Sequence, residues 1–190
     1  MQPEDHAQAI DLMDQLQISV GGLVDRKLYS AICNSTEICC VVARREHHLA
    51  GIALVELNRG WIRRRPLLAL RMVIAKYRLK KASASPATKP VKHDPPPAMR
   101  FPSSHAAPVR WTDSAPRVLF IGVDPGWRGQ GVGKLLYNAM FDQIRNRGNN
   151  WLLARIAADN LASIYLHKET GWVLYEDDGV VFAAKDLRAS

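Results

Sequence analysis

Four glycines within eight residues punctuate the segment DPGWRGQGVGK, which spans residues 124–134. An apolar run, RVLFIGV (117–123), precedes this segment, and an amphipathic run, LLYNAMFDQI (135–144), follows it. Glycine is entropically costly to order, so a cluster of glycines indicates that the backbone turns tightly or approaches something closely. The segment therefore predicts a strand that turns sharply into a helix, and it raises the question of what binds at the turn.

Hydrophobic periodicity places this turn within a mixed α/β chain. Apolar residues at helical spacing predict one or two helices over residues 6–32, broken near Gly21-Gly22, and two apolar runs joined by Arg45-Glu46-His47 predict a hairpin. Further along, Asn160 is a typical helix cap and Gly171 a typical helix stop. The other predicted elements are strands at 117–123, 151–159, 172–177 and 179–187 and helices at 135–146 and 160–170. Their order predicts an α/β fold with one mixed sheet.

Length and composition predict one ordinary cytoplasmic domain. With 190 residues, of which 47% are hydrophobic, the chain can bury one core, so we expect a single domain over residues 1–190. No uncharged apolar run is long enough for a membrane helix, and the acidic N-terminus is unlike a secretory signal. The three cysteines, Cys33, Cys39 and Cys40, suggest neither a disulfide framework nor a zinc site. We therefore expect reduced thiols and no metal.

The excess positive charge of the chain is confined to one segment. The formal net charge is +8, yet residues 59–110 alone carry 13 basic and 1 acidic side chains, whereas residues 1–58 carry 4 and 8. Residues 61–81 predict a basic helix that starts at Pro66. Residues 82–116 contain 8 of the 11 prolines, which is typical of a loop or a disordered insertion. We therefore predict that residues 59–116 form a basic helical and proline-rich insertion.

A glycine-rich turn that opens a helix can bind phosphate, because the first helical amides and the helix dipole point at the same place. The P-loop pattern G-x-x-x-x-G-K-[ST] fails here, since Arg128 replaces its first glycine and Leu135 its hydroxyl. The dinucleotide pattern G-x-G-x-x-G fails in both registers. A third pattern, [RQ]-x-x-G-x-[GA] behind V-x-P, is matched by Arg128, Gly131 and Gly133 behind Val123-Asp124-Pro125.

At these residues the chain resembles the GNAT superfamily of acyl-CoA-dependent N-acetyltransferases. The longer pattern of that family, V-x-P-x-x-R-G-x-G-[IV]-G-x-x-L, is matched at every position by VDPGWRGQGVGKLL (123–136). The resemblance implies a GNAT-like single domain with central splayed strands and helices on both faces of the sheet. A second family stretch, N-x-x-[AS]-x-x-L-[YH]-x-x-x-G-[FW], is matched by Asn160, Ser163, Leu166, His167, Gly171 and Trp172.

The resemblance implies acetyl-CoA as the acyl donor and implies which residues hold it. Backbone groups near Ile121 and Val123 would pair with the pantetheine arm, and the Val123 amide would meet the developing oxyanion. Asn160 would contact the cofactor from the second motif. The amides of the glycine turn would hold the pyrophosphate. That turn consists of Arg128, Gly129, Gln130, Gly131, Val132, Gly133 and Lys134.

The resemblance also implies where protons move during acetyl transfer. The family's more frequent residue at position 167 is a tyrosine that can protonate the departing CoA thiolate, and His167 stands there in this chain. For His167, packing on CoA without proton transfer is the alternative role. Tyr165 points to a different helix face, with core packing as its alternative. The base that deprotonates the amine is Glu56 or Asp113, and for each the alternative is a solvated surface charge.

These observations favour an enzyme that moves an acetyl group from acetyl-CoA to a primary amine, such as that of a small molecule or an amino sugar. The alternative is a non-catalytic acyl-CoA-binding or interaction module. For the basic insertion, three roles stay open: a lid that recruits an acidic acceptor, a peripheral contact of residues 61–81 with an anionic membrane, and a solvated loop without a partner. A nucleic-acid binder acting through residues 59–110 is a weaker alternative, and we expect no specific nucleic-acid partner. A homodimer also stays open.

Overall fold

The order of helices and strands agrees with the predicted α/β chain. The computed structural model describes residues 5–16, 26–58, 115–177 and 179–188, so the predicted helix over 61–81 and nearly all of the proline-rich stretch lie outside the described residues. The elements are α1 (Asp5–Gln15), α2 (Arg26–Cys33), β1 (Ile38–Arg45), β2 (His48–Glu56), β3 (Arg117–Val123), a 3-10 turn (Pro125–Trp127), α3 (Val132–Asn146), β4 (Trp151–Ala157), α4 (Leu161–Glu169), β5 (Val173–Asp177) and β6 (Val180–Asp186).

The six strands form one mixed sheet in the order β1-β2-β3-β4-β6-β5. β1 and β2 pair antiparallel, which confirms the predicted hairpin, and β2 continues antiparallel onto β3. β3 and β4 are parallel, with α3 as the crossover that parallel strands require. β6 lies between β4 and β5 and is antiparallel to both. The central pair, β3 and β4, is thus flanked on each side by antiparallel strands.

β3 contains a β-bulge at the point where it parts from its parallel neighbour β4. Leu54 lies opposite Phe120 and Val55 lies opposite Val118, so Leu119 is an extra residue in β3. β3 pairs with β4 only through its first two residues. Because a bulge bends the strand that carries it, β3 departs from β4 directly after this pairing. The prediction of central splayed strands is confirmed.

Helices cover both faces of the sheet, as predicted. Residues alternate between the two faces of a strand, and in β2 Ile52 and Leu54 pack with α1 and α2 while Ala53 and Val55 pack with α3. Among the described residues, no helix is both long and apolar enough to cross a bilayer. The first face buries Ala9, Leu12, Met13, Leu28, Tyr29 and Ile32, and the second buries Leu136, Tyr137, Met140, Ile144 and Trp172.

The predicted insertion connects two strand ends that are direct neighbours. Glu56, the last residue of β2, lies opposite Arg117, the first residue of β3. Opposite residues in an antiparallel pair have Cα atoms about 5 Å apart. Residues 59–114 therefore leave the sheet and return to it at one place, the amino end of β3. The glycine turn lies at the other end of the same strand.

Candidate active site

A cleft of about 830 Å³ opens beside β3, where this strand has left β4. Its walls are the second half of β3, the glycine turn and the first turns of α3 and α4, with Leu16 behind α1. Nine of the ten predicted cofactor-binding residues line the cleft: Ile121, Val123, Arg128, Gly129, Gly131, Val132, Gly133, Lys134 and Asn160.

The edge of β3 presents backbone hydrogen-bonding groups to this cleft. The Asp124 amide donates to the Ala50 carbonyl at 3.0 Å, so residue 124 directs its backbone groups toward β2. Successive residues of a strand direct their N–H and C=O groups to alternate sides. Ile121 and Val123 therefore direct theirs away from β2, into the gap that the splay leaves. An extended ligand with amide groups can pair with β3 there as an additional strand would.

The glycine turn presents a second set of backbone donors. Gly129 and Gly131 have φ angles of 73° and 80°, in the left-handed region that favours glycine. Gly131 precedes α3, and no side chain caps the helix there. The first amides of a helix have no intrahelical partner, and the helix dipole adds positive potential at the same end. This end of the cleft is therefore suited to bind a phosphate or pyrophosphate.

Gly133 lets the two helical walls of the cleft approach each other. A Cβ atom at this position would lie 2.9 Å from Cδ2 of Leu166 on α4. The start of α4 is fixed by Asn160, whose Oδ1 accepts a hydrogen bond from the Ser163 amide at 3.1 Å. The predicted cap is thus observed, and Asn160 and Ser163 both face the cleft.

The two basic side chains of the turn, Arg128 and Lys134, each contact another group of the protein. Nε of Arg128 donates to the Val123 carbonyl at 3.2 Å, which ties the turn to the end of β3. Nζ of Lys134 lies 2.8 Å from Oε2 of Glu169. This hydrogen bond raises the pKa of Lys134 and lowers the pKa of Glu169. A carboxylate on α4 therefore offsets part of the positive charge that the turn offers to an anion.

Gln130 is the predicted cofactor residue whose side chain does not line the cleft. Its Oε1 accepts a hydrogen bond from Nη1 of Arg45 at 3.1 Å. Its Nε2 donates to the Gly126 carbonyl at 3.2 Å. The side chain of Gln130 thus braces the turn, and any contact of this residue with a ligand would come from its backbone.

His167 is buried and does not line the cleft, which argues against its predicted role in protonating a thiolate there. Only 2% of the residue's surface is exposed to solvent. Nδ1 lies 2.7 Å from the Ser163 carbonyl, which can only accept, so Nδ1 carries the proton. Nε2 then accepts from the Tyr137 hydroxyl at 2.8 Å. Burial lowers the pKa of His167 to about 4, so the ring is neutral at pH 7.

Tyr165 is exposed and lines the cleft, so the alternative that it packs in the core is wrong, and its predicted catalytic role stays a prediction. The residue is 66% exposed. Its hydroxyl contributes to the lowered pKa of Glu169, whose carboxylate lies 2.8 Å from Nζ of Lys134. Tyr165 therefore lies at the end of the cleft formed by the glycine turn. The point where β3 parts from β4 is at the opposite end of the cleft.

Glu56 does not line the cleft, which argues against its predicted role as the base. It lies opposite Arg117, whereas the lining of the cleft by β3 begins at Phe120. Along β2, Glu56 is two residues from Leu54, which lies opposite Phe120, so the two positions are roughly 7 Å apart. Asp113, the other candidate, lies outside the described residues.

Three of the cleft residues that sequence reasoning missed show what kind of signal was available. Trp127 stands inside the glycine segment, where an aromatic residue between two glycines was the available signal. Ser163 was identified only as a motif position, yet it faces the cleft. Phe120 lies in the apolar run 117–123, and only the bulge at Leu119 decides which face it takes.

Residues 106–172 match the sequence model described as the acetyltransferase (GNAT) family. A mycothiol acetyltransferase of Nocardiopsis dassonvillei is 30% identical over 91 residues, which are 47% of this chain and 28% of that protein. The L-amino acid N-acyltransferase MnaT of Escherichia coli is 35% identical over 52 residues, 27% of this chain and 30% of that protein. The chain thus spans less than a third of the length of the curated relatives that it matches.

Solved structures share the fold of the chain. The putative acetyltransferase yncA of Salmonella typhimurium, solved with its cofactor acetyl-CoA, has a TM-score of 0.61 at 14% identity, covering 98% of this chain and 91% of that one. The ribosomal-protein-S18-alanine N-acetyltransferase of Escherichia coli has a TM-score of 0.57 at 14% identity, covering 98% and 90%. The segment that matches this family model contains both sequence motifs, and the whole chain shares the fold of these solved acetyltransferases.

Proposed function

We propose that this protein is an acetyl-CoA-dependent N-acetyltransferase. The observation that carries the proposal is that two sets of backbone donors follow one another along a single cleft. The edge of β3 at Ile121 and Val123 suits an extended arm that contains amides. The start of α3, directly beyond it, suits a pyrophosphate. CoA consists of such an arm joined to a pyrophosphate.

In this proposal the chain contributes mainly by orienting the reactants. Bound acetyl-CoA would supply a thioester, whose carbonyl carbon an amine can attack. The Val123 amide, which points into the gap of the splay, would donate to the oxygen on which negative charge develops. Bringing donor and acceptor together in a cleft that excludes much of the solvent lowers the barrier without any covalent step on the protein.

Removal of the amine's proton requires a group that the described cleft lacks. A typical alkylammonium has a pKa near 10, so a base or a chain of water molecules must take up a proton before attack. Within the described ranges, no carboxylate side chain lines the cleft. We propose that Asp113 or water serves as the base, since Glu56 lies beyond the end of the cleft.

The departing thiolate does not depend on a side-chain acid. Thiols have a pKa near 8.5, so a thiolate released near pH 7 can take its proton from solvent. His167 is neutral and turned into the core, where it hydrogen-bonds to Tyr137. We propose that Tyr165 forms a wall of the cofactor-binding cleft and that His167 positions α4 against α3.

The acceptor is a primary amine in this proposal. Relatives of the chain are named for mycothiol and for L-amino acids. We therefore propose that mycothiol-related amines, amino sugars and L-amino acids are screened first, with acidic members of each class included because of the basic residues at 59–110. A cytoplasmic location is a further prediction from the sequence, and whether the chain forms a homodimer stays open.

The second candidate function is a non-catalytic acyl-CoA-binding module. The observation that favours it is that, in the part of the chain the structure describes, neither His167 nor Glu56 faces the cleft. Such a module would bind acetyl-CoA in the same place without turning it over. Turnover separates the two candidates, since release of the CoA thiol in the presence of an amine requires the enzyme.

Calorimetric titration of acetyl-CoA tests the cofactor site. Gly131→Glu places a carboxylate at the start of α3, where it competes with the pyrophosphate for the same amides. Gly148→Glu is a matched control, because Gly148 also has a positive φ (77°) and open space around its Cβ position, but lies beyond the other end of α3. We expect a loss of at least tenfold in affinity for Gly131→Glu and less than a twofold change for Gly148→Glu.

The outcomes decide between the functions. No binding by the wild-type protein, or equal binding by both folded variants, would overturn the cofactor site. Binding that Gly131→Glu alone disrupts supports it. Amine-dependent release of CoA, followed with a thiol reagent, then favours the enzyme over the binding module.

A further inference from the structure

Arg45, at the tip of the β1–β2 hairpin, makes two contacts with the glycine turn. Its Nη1 donates to Oε1 of Gln130 at 3.1 Å, across 85 residues of sequence. Its guanidinium carbon lies 4.8 Å from the centre of the Trp127 ring, a cation–π distance. The hairpin tip is thus joined to the turn at two points, one polar and one aromatic.

The side chain of Gln130, which Arg45 contacts, is also hydrogen-bonded to the backbone of the turn. Nε2 of Gln130 donates to the Gly126 carbonyl at 3.2 Å, and the Gly126 amide donates to Oδ1 of Asp124 at 2.8 Å. The start and the end of the turn are therefore linked through a side-chain amide that Arg45 holds in place. Gly129 and Gly131 have the backbone freedom that makes an unbraced turn costly to order.

The hairpin that carries Arg45 is firmly placed. β1 and β2 pair from Ile38 opposite Glu56 to Arg45 opposite His48, with one bulge at Ala50 between the pairs of Ala43 and Arg44. β2 in turn pairs with β3, and Gly51 lies opposite Val123 directly before the turn. Arg45 therefore stands on the rigid sheet and reaches over the turn, which is the arrangement of a side chain that fixes a loop.

We propose that Arg45 is a positioning residue for the cofactor site: acting through Gln130 and Trp127, it holds the glycine turn in the conformation that binds the phosphate half of CoA. This inference rests on the proposed function, because it names a residue that tunes the same site. Arg45 does not touch the reacting atoms in this proposal, so it changes affinity for the donor and not the rate of the chemical step.

Two acetyl donors with the same thioester distinguish a role in phosphate binding from a general effect on the structure. Acetyl-CoA carries the pyrophosphate and S-acetylpantetheine does not. For Arg45→Ala we expect the KM for acetyl-CoA to rise five- to twentyfold with kcat within twofold, and kcat/KM for S-acetylpantetheine to stay within twofold. Arg45→Lys keeps the charge but not the planar guanidinium, and we expect it to recover part of the loss.

Arg147→Ala is the matched control for the loss of one exposed positive charge. Arg147 is the residue that follows α3 at the end remote from the turn. We expect it to bind acetyl-CoA within twofold of the wild-type protein. If Arg147→Ala weakens binding as much as Arg45→Ala does, overall charge explains the effect and the proposal is overturned.

A double-mutant cycle with Gln130→Leu tests the route of the effect. If Arg45 acts through Gln130, the double variant binds acetyl-CoA no more than about twofold more weakly than the weaker single variant. If the two losses multiply, Arg45 does not act through Gln130 and this route of the positioning effect is wrong. If Arg45→Ala does not fold, Arg45→Lys and Gln130→Leu complete the cycle.

Failure of this inference is distinguishable from failure of the proposed function. Calorimetry of acetyl-CoA with the wild-type protein decides the cofactor site on its own, and absence of binding there removes both. Wild-type binding that persists unchanged in Arg45→Ala, with the protein folded by circular dichroism, would overturn the role of Arg45 alone.

Discussion

His167 is held as a neutral imidazole by two neighbours of fixed hydrogen-bonding character. The Ser163 carbonyl accepts from Nδ1, and the Tyr137 hydroxyl donates to Nε2. Protonation of Nε2 would bring two donors face to face unless the hydroxyl turned away. Burial adds to this by disfavouring the charged ring. The side chain of His167 therefore contributes to the stability of the fold, because its hydrogen bond with Tyr137 links α4 to α3.

This arrangement makes the stability of the protein depend on pH. The pKa of His167 is lowered from 6.5 to about 4, so between these pH values the unfolded chain binds a proton that the folded chain does not. The stabilisation is complete above about pH 6.5 and is lost as the pH falls toward 4. Urea unfolding at pH 7.5, 6.0 and 5.0 measures this fall. We expect a smaller fall for His167→Gln than for the wild-type protein.

The control for that measurement is His47→Gln, a substitution of an exposed histidine in the β1–β2 turn. It should retain the full pH dependence, because the substitution leaves the buried His167 ring and its two hydrogen-bonding neighbours in place. Equal pH dependence in His167→Gln and the wild-type protein would contradict the buried, neutral state that the structure gives this ring.

Tyr165 is expected to act in donor binding and not in proton transfer. Its hydroxyl is close to Glu169 and Lys134, at the phosphate end of the cleft. Tyr165→Phe should leave kcat within twofold, whereas Tyr165→Ala should raise the KM for acetyl-CoA about three- to tenfold, because the cleft loses an aromatic wall. Steady-state kinetics over a range of acetyl-CoA concentrations distinguish these effects. A tenfold fall in kcat for Tyr165→Phe would restore the proton-donor role.

At the scale of elements, the ion pair between Lys134 and Glu169 joins the first turn of α3 to the last turn of α4. The two charged groups are 2.8 Å apart, and both are partly exposed. Exposed ion pairs contribute little to stability, so this pair has more influence on the charge offered to a ligand than on folding. It places a carboxylate beside a site built to receive an anion.

Removing that carboxylate should strengthen donor binding. Glu169→Gln leaves Lys134 free to approach a phosphate, and we expect a two- to fivefold lower Kd for acetyl-CoA at low ionic strength. The gain should shrink as salt is raised, because ions screen exposed charges. Titrations at two salt concentrations measure this. Glu176→Gln, which removes an exposed carboxylate from β5, is the control, and an equal gain there would point to net charge alone.

Most of the elements could be predicted from the sequence because their signals are local. Asn160 and Gly171 bound α4, and the apolar runs on either side of Arg45-Glu46-His47 became β1 and β2. The glycine motif likewise located the cleft, because glycines at 129 and 131 are required by the backbone itself.

The placement of side chains in the site was harder to predict because it depends on contacts between distant elements. The motif aligns His167 with the family's tyrosine position, yet the ring of His167 lies in the core, where it hydrogen-bonds to Tyr137 on α3. Periodicity could not reveal the extra residue at Leu119, which decides where the strands part. No local pattern linked Arg45 to Gln130.

At the scale of the whole molecule, the fold separates the two ends of the proposed reaction. The cofactor turn follows the carboxyl end of β3, and the basic segment departs at its amino end, where Glu56 faces Arg117. An extended donor that lies along β3 with its phosphates at the turn would direct its thioester toward the end from which the basic segment departs. Among the roles left open for residues 59–116, this placement favours a lid that recruits an acidic acceptor.

Replacing residues 59–114 with the turn Asn-Gly tests that division. The ends to be joined are adjacent, so a short hairpin connection can close them. The change removes 13 basic and 2 acidic residues and takes the formal net charge from +8 to −3. We expect acetyl-CoA affinity within threefold of the wild-type value and at least a tenfold loss in kcat/KM for the acceptor. Undiminished acceptor turnover would indicate a solvated loop without a partner.

The adjacency of Glu56 and Arg117 also has a consequence for how such a chain can change over evolutionary time. The entropy lost on closing a loop grows only with the logarithm of its length, so doubling a flexible connection costs about 0.6 kcal/mol. Changes in the length of a flexible connection between these two residues therefore alter the loop-closure free energy only slightly. Selection can rewrite this connection while the glycine turn at the other end of β3, which is built from backbone groups, stays the same.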